Sequence, residues 1–178
     1  MRSVRFAITL ALALALSATA ATAQDFARSG LYGQLNGVAS FEAFDGLDDG
    51  LDTGLGVAGR LGYRMTPNIA VEGLVEYSGD FSDISGLDLT STLFLANARY
   101  YFLTDRLQPY AALGLGGQVF HIDPGPDEGA FAVRFAGGLD YYISESWGVT
   151  GEFAYNLATG DLKNLNTMSL GFGAFLRF

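Results

Sequence analysis

The sequence predicts an all-β fold, an eight-stranded antiparallel up-and-down transmembrane β-barrel. Three observations predict it. Beyond residue 23 the chain alternates apolar and polar positions through eight successive runs, a period-two pattern that belongs to half-buried strands and not to helices. The connections between the runs alternate short and long. The chain closes on an apolar period-two stripe that ends in an aromatic residue, Phe178.

The front of the chain sets the compartment. "MRSVR" at 1–5 carries two positive charges, "FAITLALALAL" at 6–16 is an apolar run of eleven, and "SATAATA" ends in Ala21-Thr22-Ala23. Charged start, short apolar core and small-residue exit are the three parts of a cleavable secretory signal. A transmembrane helix needs roughly 20 apolar residues. We therefore expect a signal peptide over 1–23 and a barrel domain over 24–178, with cleavage after Ala23 or at the alternative exit Ala18-Thr19-Ala20; an uncleaved anchor is the other reading. Losing Arg2 and Arg5 with the leader would take the formal charge from −9 to −11. So acidic a balance argues against nucleic acid as a partner, since phosphate binding needs clustered Lys and Arg. There is no Cys, so an exported chain must rely on packing and hydrogen bonding without disulfides.

Each run sorts its residues onto two faces. In the first, 30–41, Leu31, Leu35, Ala39 and Phe41 oppose Tyr32, Gln34, Asn36 and Ser40. In the second, 55–64, Leu55, Val57, Leu61 and Tyr63 oppose Gly56, Ala58, Arg60, Gly62 and Arg64. The third, 69–77, sets Ile69, Val71, Val75 and Tyr77 against Ala70, Glu72, Leu74 and Glu76. The fourth, 92–102, puts Thr92, Phe94, Ala96, Ala98, Tyr100 and Phe102 on one face and leaves Asn97 and Arg99 on the other.

The fifth run, 109–119, sets Ala111, Leu113, Leu115 and Val119 against Ala112, Gly114, Gly116 and Gln118. The sixth, 131–143, sets Val133, Phe135, Leu139, Tyr141 and Ile143 against Arg134, Ala136, Gly138 and Asp140. The seventh, 147–157, sets Trp147, Val149, Phe153, Tyr155 and Leu157 against Thr150, Glu152, Ala154 and Asn156. The eighth carries Met168, Leu170, Phe172, Ala174, Leu176 and Phe178 against Ser169, Gly171, Gly173, Phe175 and Arg177. Runs of about 9–11 residues suit tilted strands crossing a bilayer, and an even count suits a closed bacterial barrel.

Tight connections follow the second, fourth and sixth runs, at 65–68, 103–108 and 144–146; long ones, at 42–53, 78–91, 121–130 and 158–166, follow the others. That alternation predicts both termini on the periplasmic side and the long loops outside. The long loops carry twelve acidic residues against the single Lys163. Every charged strand residue lies on the more polar face, and this avoids the roughly 2–4 kcal/mol that Arg or Lys costs in mid-bilayer. Tyr63, Tyr100, Phe102, Tyr141, Trp147 and Phe178 gather at the short-turn ends, with Phe41, Tyr77 and Phe131 near the long loops, as two interfacial aromatic girdles require. A soluble lipid-binding barrel would need the faces reversed.

The terminal stripe Leu170, Phe172, Leu176 and Phe178 resembles the C-terminal targeting signal of bacterial outer-membrane proteins. That resemblance implies recognition by the barrel assembly machinery. More broadly, residues 26–178 look like the small eight-stranded surface barrels, the outer membrane protein A-like and opacity-protein-like group, through stretches such as "LYGQLNGVASF", "PYAALGLGG" and "FAGGLDYYIS". The likeness is one of pattern over the whole mature chain. With the chain stopping at Phe178, no periplasmic peptidoglycan-binding domain is expected.

Residues of the polar face define a candidate lumen charge network of Arg60, Glu72, Arg99, Arg134, Asp140 and Glu152. Arg60, Glu72 and Arg99 fall at one height on neighbouring strands, which would seat one carboxylate between two guanidiniums. An ion path or a catalytic carboxylate is the active reading; a salt-bridged plug is the structural one, favoured because eight strands enclose only enough room for side chains. His121 is the single histidine, and no serine follows it two positions on, so neither a multi-histidine metal site nor a Ser–His dyad on that strand is expected. "DGLDDGLDTG" at 45–54 lacks EF-hand spacing and reads as a solvated acidic loop, with weak divalent bridging to lipopolysaccharide phosphates as the alternative. Trp147 reads as an interface anchor, and the Gly-rich stretches lie inside strands where no helix could receive a pyrophosphate.

These observations predict a non-enzymatic bacterial outer-membrane protein, with no cofactor or metal, that serves envelope structure or surface adhesion. Its expected partners are outer-membrane lipid and lipopolysaccharide, the assembly machinery during insertion, and an extracellular ligand. A lipid-modifying enzyme on the same barrel and a narrow ion pore are the alternatives.

Overall fold

Strand β1 (Gly30–Glu42) opens a cylinder that β8 (Thr167–Arg177) closes, with β2 (Thr53–Arg64), β3 (Ile69–Gly79), β4 (Asp88–Tyr101), β5 (Leu107–Asp123), β6 (Glu128–Tyr142) and β7 (Trp147–Ala158) between them. The computed structural model describes residues 25–42, 53–79, 88–123, 128–159 and 166–178. The predicted signal peptide and most of the four long connections lie outside the described residues. Every neighbouring pair is antiparallel and the sheet is a closed barrel in sequence order. Register at the seam is set by pairs such as Leu35↔Ala174 and Phe41↔Met168. Closure leaves no edge strand, so the ladder satisfies the backbone groups that lipid cannot.

The two faces separate as period two requires. Leu35, Leu55, Leu61, Phe94, Phe135 and Phe172 stay exposed on the outside, while Arg60, Glu72, Arg99, Arg134, Asp140 and Glu152 are buried within. In water so large an apolar exterior would drive association; in a bilayer it is the matching surface. The charges sit inside and the hydrocarbon outside, the reverse of a soluble lipid carrier. Among the described residues no helix is long and apolar enough to cross a membrane, and the crossing is made by strands.

Two features differ from the expectation. The β4–β5 ladder continues to Asp88↔Asp123 and the β5–β6 ladder to Phe120↔Glu128, so these three acidic residues end strands and do not lie in loops. Backbone pairing is indifferent to side-chain hydropathy, and a polar hairpin continues its ladder past the apolar band. The interior is also less polar than its sequence face suggests. Val38, Ala58, Leu74, Leu93, Leu95 and Ala132 form one buried cluster, and Tyr32, Ala70, Tyr101 and Tyr110 form another.

The short turns hold their own ends. Met65 N donates to Ile69 O at 2.9 Å, Phe102 N to Pro109 O at 2.9 Å, and Ile143 N to Trp147 O at 3.1 Å. Side chains assist: Thr66 Oγ1 accepts from Ile69 N at 3.0 Å and Ser144 Oγ from Trp147 N at 3.3 Å. These are the hydroxyl-capped turns that Ser and Thr favour.

Candidate functional site

Inward-facing residues on all eight strands converge in the lumen, where alternation along each strand brings every second side chain to the axis. Glu152 on β7 meets three guanidiniums, more than any other carboxylate of the cluster. It accepts from Arg60, from Arg134 Nη2 at 2.8 Å and from Tyr110 Oη at 2.8 Å, and Arg99 Nη2 lies 3.7 Å away. Glu72 on β3 accepts from Tyr32 Oη at 2.6 Å and Asn97 Nδ2 at 3.1 Å; Arg99 Nη2 lies 3.2 Å and Arg60 Nε 3.6 Å from its carboxylate.

Two further pairs extend the network towards the ends. Asp140 accepts from Thr150 Oγ1 at 2.6 Å and from Arg99 Nη1 and Tyr101 Oη, each at 3.3 Å. Arg134 Nη1 lies 3.1 Å from Glu76 and donates to Asn156 Oδ1 at 3.0 Å. The six charged residues singled out from the sequence thus share one buried cluster, joined by Glu76.

Aromatic rings fill the space that the charges leave. The Arg99 guanidinium lies 4.0 Å from the Tyr110 ring centroid, and that of Arg64 lies 4.1 Å from Tyr101, both within cation–π range. Two glycines make room for the tyrosines that reach the carboxylates. Gly62 stands directly across from Tyr32, and a Cβ added there would meet the ring at 2.4 Å; Gly138 stands across from Tyr110 with the same 2.4 Å approach. Any larger side chain at either position would push a tyrosine off its carboxylate.

Chemically this lumen is a set of opposed charges, the guanidiniums of Arg60, Arg99 and Arg134 against the carboxylates of Glu72, Glu76, Asp140 and Glu152. Each carboxylate is held by at least one guanidinium, and the side chains of Arg60, Glu72, Arg99, Asp140 and Glu152 are at most 3% exposed. Towards the long-loop end hydroxyls and amides continue the polar character: Gln118 Nε2 donates to Ser91 Oγ at 2.8 Å, and Ser40 and Ser78 hydroxyls meet at 3.1 Å. His121 is exposed on β5 opposite Thr90 in the β4–β5 register. Among the described residues no group of three or more His, Cys, Asp or Glu is placed to hold a metal ion.

Sequence reasoning missed the inner aromatics Tyr101, Tyr110 and Tyr142. Their signal was present, since each lies two positions from an inward polar residue: Arg99, Gln108 and Asp140. It also missed Phe26, which is buried at the short-turn end outside the alternating pattern.

A family model for the outer membrane protein beta-barrel domain matches residues 8–178. No curated protein sequence matches the chain. Among solved structures, Neisserial surface protein A is similar at 19% identity, covering 84% of this chain and 98% of that one, with a TM-score of 0.73. The attachment invasion locus protein Ail of Yersinia pestis is similar at 18% identity, covering 85% and 100%, with a TM-score of 0.59. The N-terminal β-barrel domain of Pseudomonas aeruginosa OprF matches at 18% identity over 85% and 100%, with a TM-score of 0.57. At these identities the likeness is one of fold.

Proposed function

The chain belongs to the outer membrane protein beta-barrel domain family, which places it in the bacterial outer membrane, and from that premise we propose a non-enzymatic role carried by its outer loops, in envelope structure or surface adhesion. The observation that supports this reading is the occupied lumen. Among the described residues Arg60, Arg99 and Arg134 pair with Glu72, Glu76, Asp140 and Glu152, which argues against an ion path and against a catalytic carboxylate in the interior. The surfaces left for work are the lipid-facing belt and the two ends.

Charge narrows the outer partner. The long connections, together with the strand ends that flank them, hold twelve acidic residues and one Lys, a balance that steers cationic partners in and repels polyanions. Ail has been solved in complex with the heparin analogue sucrose octasulfate; the loops of this chain call for a ligand of the opposite charge, or for divalent cations that bridge to lipopolysaccharide phosphates. During biogenesis the stripe Leu170, Phe172, Leu176 and Phe178 serves as the signal for the barrel assembly machinery.

Two readouts on intact cells test this reading. External protease should cut within 42–53, 78–91, 121–130 or 158–166 and spare 65–68, 103–108 and 144–146. Cuts confined to the short turns would invert the orientation. Beads coated with a polycation should bind cells displaying the protein, less at high salt because surface charge is screened over about 8 Å at physiological ionic strength. A variant with Asp45, Asp48, Asp49 and Asp52 changed to Asn should bind fewer beads. Equal binding would remove the adhesive reading.

A further inference from the structure

At the short-turn end, three buried donors from three strands meet on one oxygen. The main-chain carbonyl of Phe26 accepts from Arg64 Nη1 at 3.4 Å, Gln108 Nε2 at 3.2 Å and Arg177 Nη1 at 2.6 Å. Arg177 Nη2 also donates to the Arg28 carbonyl. The Phe26 ring is buried against Tyr142 at 5.4 Å between centroids, Tyr142 packs edge-on against Phe175 at 4.8 Å, and the Arg106 guanidinium lies 5.7 Å from the Phe26 ring centroid.

Each donor is held by the barrel independently of this segment. Arg64 Nε donates to Pro67 O at 3.1 Å and Arg64 Nη1 to Gln108 Oε1 at 2.7 Å, and Gln108 Nε2 is also bound to Asp105 O at 2.8 Å. Arg177 is anchored by the Tyr142 hydroxyl at 3.3 Å. These barrel partners would hold the donors near their places before anything enters, which would lower the ordering cost of binding. The segment that enters is shaped locally: a turn lies at 26–27, Asp25 Oδ1 accepts from Ala27 N at 3.1 Å, and Gly30 at φ 153° begins β1. A Cβ at Gly30 would sit 3.2 Å from the Phe178 carbonyl in a backbone conformation that other residues rarely adopt.

We propose that the short-turn mouth of the barrel is a preformed peptide-binding socket, selective for a main-chain carbonyl beside an aromatic side chain, and that the chain's own residues 25–29 occupy it in cis and seal that end. In the orientation proposed above this is the periplasmic mouth, but the socket itself does not depend on that orientation. Tethering a few residues from β1 holds the segment at an effective concentration in the millimolar range for short linkers, so a free peptide competes only when the tethered ring is removed.

The test uses the full mature chain refolded in detergent. In a Trp147→Phe background, Phe26→Trp should give blue-shifted emission and resist acrylamide. Water-like emission with full quenching would overturn the proposal. A labelled peptide with the sequence of residues 24–30 should bind the Phe26→Gly barrel saturably and at least tenfold more tightly than the unaltered barrel. The same peptide with its Phe changed to Ala should lose that binding. Equal binding by both barrels, or none by the Phe26→Gly barrel while its emission and mobility show a folded cylinder, would contradict a selective socket.

Discussion

Replacing Glu152 with glutamine should lower the stability of the barrel by about 3–5 kcal/mol, the usual cost of breaking a buried pair by removing one partner. Glutamine keeps the shape and one acceptor but removes the charge that Arg60 and Arg134 both face, the latter at 2.8 Å, with Arg99 close behind at 3.7 Å. Those guanidiniums cannot swing to water, because Arg60 and Arg99 side chains are 2% and 0% exposed. Urea unfolding of the protein in detergent micelles or lipid vesicles reads the effect as a fall in midpoint at constant slope. Glu72→Gln should act in the same direction and cost less, since its guanidinium contacts are longer, at 3.2 and 3.6 Å, and Asn97 can still donate to the amide oxygen while the Tyr32 hydroxyl turns to accept from the amide nitrogen. A loss of about 1 kcal/mol or less for Glu152→Gln would mean that water screens the interior as it screens surface pairs, and the closed-lumen account would fail.

Deleting Phe178, or changing it to Asp, should strip most of the protein from the outer membrane while leaving its export intact. The folded barrel itself gains little from this ring, which is 70% exposed; its tie to the seam is the backbone bond from Phe178 N to Leu31 O at 2.9 Å. The expected phenotype is accordingly one of assembly and not of stability. Phe178→Asp protein, which keeps that main-chain bond, should stay within about 0.5 kcal/mol of the unaltered stability when refolded in detergent, as surface substitutions do, while the cellular pool accumulates in the periplasm or is degraded. Normal outer-membrane levels would leave the stripe Leu170, Phe172, Leu176 and Phe178 as lipid-facing surface and nothing more.

The strand count and the faces were legible because charge is forbidden on one side of a membrane sheet. Arg60, Glu72, Arg99, Arg134, Asp140 and Glu152 mark the inward parity of five different strands, and the parity of their neighbours follows. What parity cannot tell is which inward residues meet. Arg60 on β2 reaches Glu152 on β7, 92 residues away and not on a neighbouring strand. That contact crosses the lumen and depends on barrel diameter and strand stagger. Height along adjacent strands groups Arg60, Glu72 and Arg99, but Glu152 with its three guanidiniums emerges only when the cylinder closes.

Aromatic residues misled in an instructive way. At strand ends they read as interfacial girdles, which suits Tyr63, Tyr100 and Trp147 on the outside. Tyr101, Tyr110 and Tyr142 sit at similar heights on the opposite parity and fill the lumen. Phe26 carries no periodic signal at all, because a single residue docked beneath the barrel has no pattern to repeat. The ends of β4, β5 and β6 were hidden for a third reason: ladder hydrogen bonds persist through Asp88, Asp123 and Glu128 where hydropathy no longer reports a strand.

If the lumen is locked, function passes to the loops. Ion current across planar lipid bilayers containing the purified, fully folded protein tests whether it is. The unaltered barrel should give no unitary steps above the lipid baseline at either polarity. Reproducible steps through that barrel, matched to the amount of protein inserted, would show an open path past Arg60, Arg99 and Glu152 and would contradict a locked lumen.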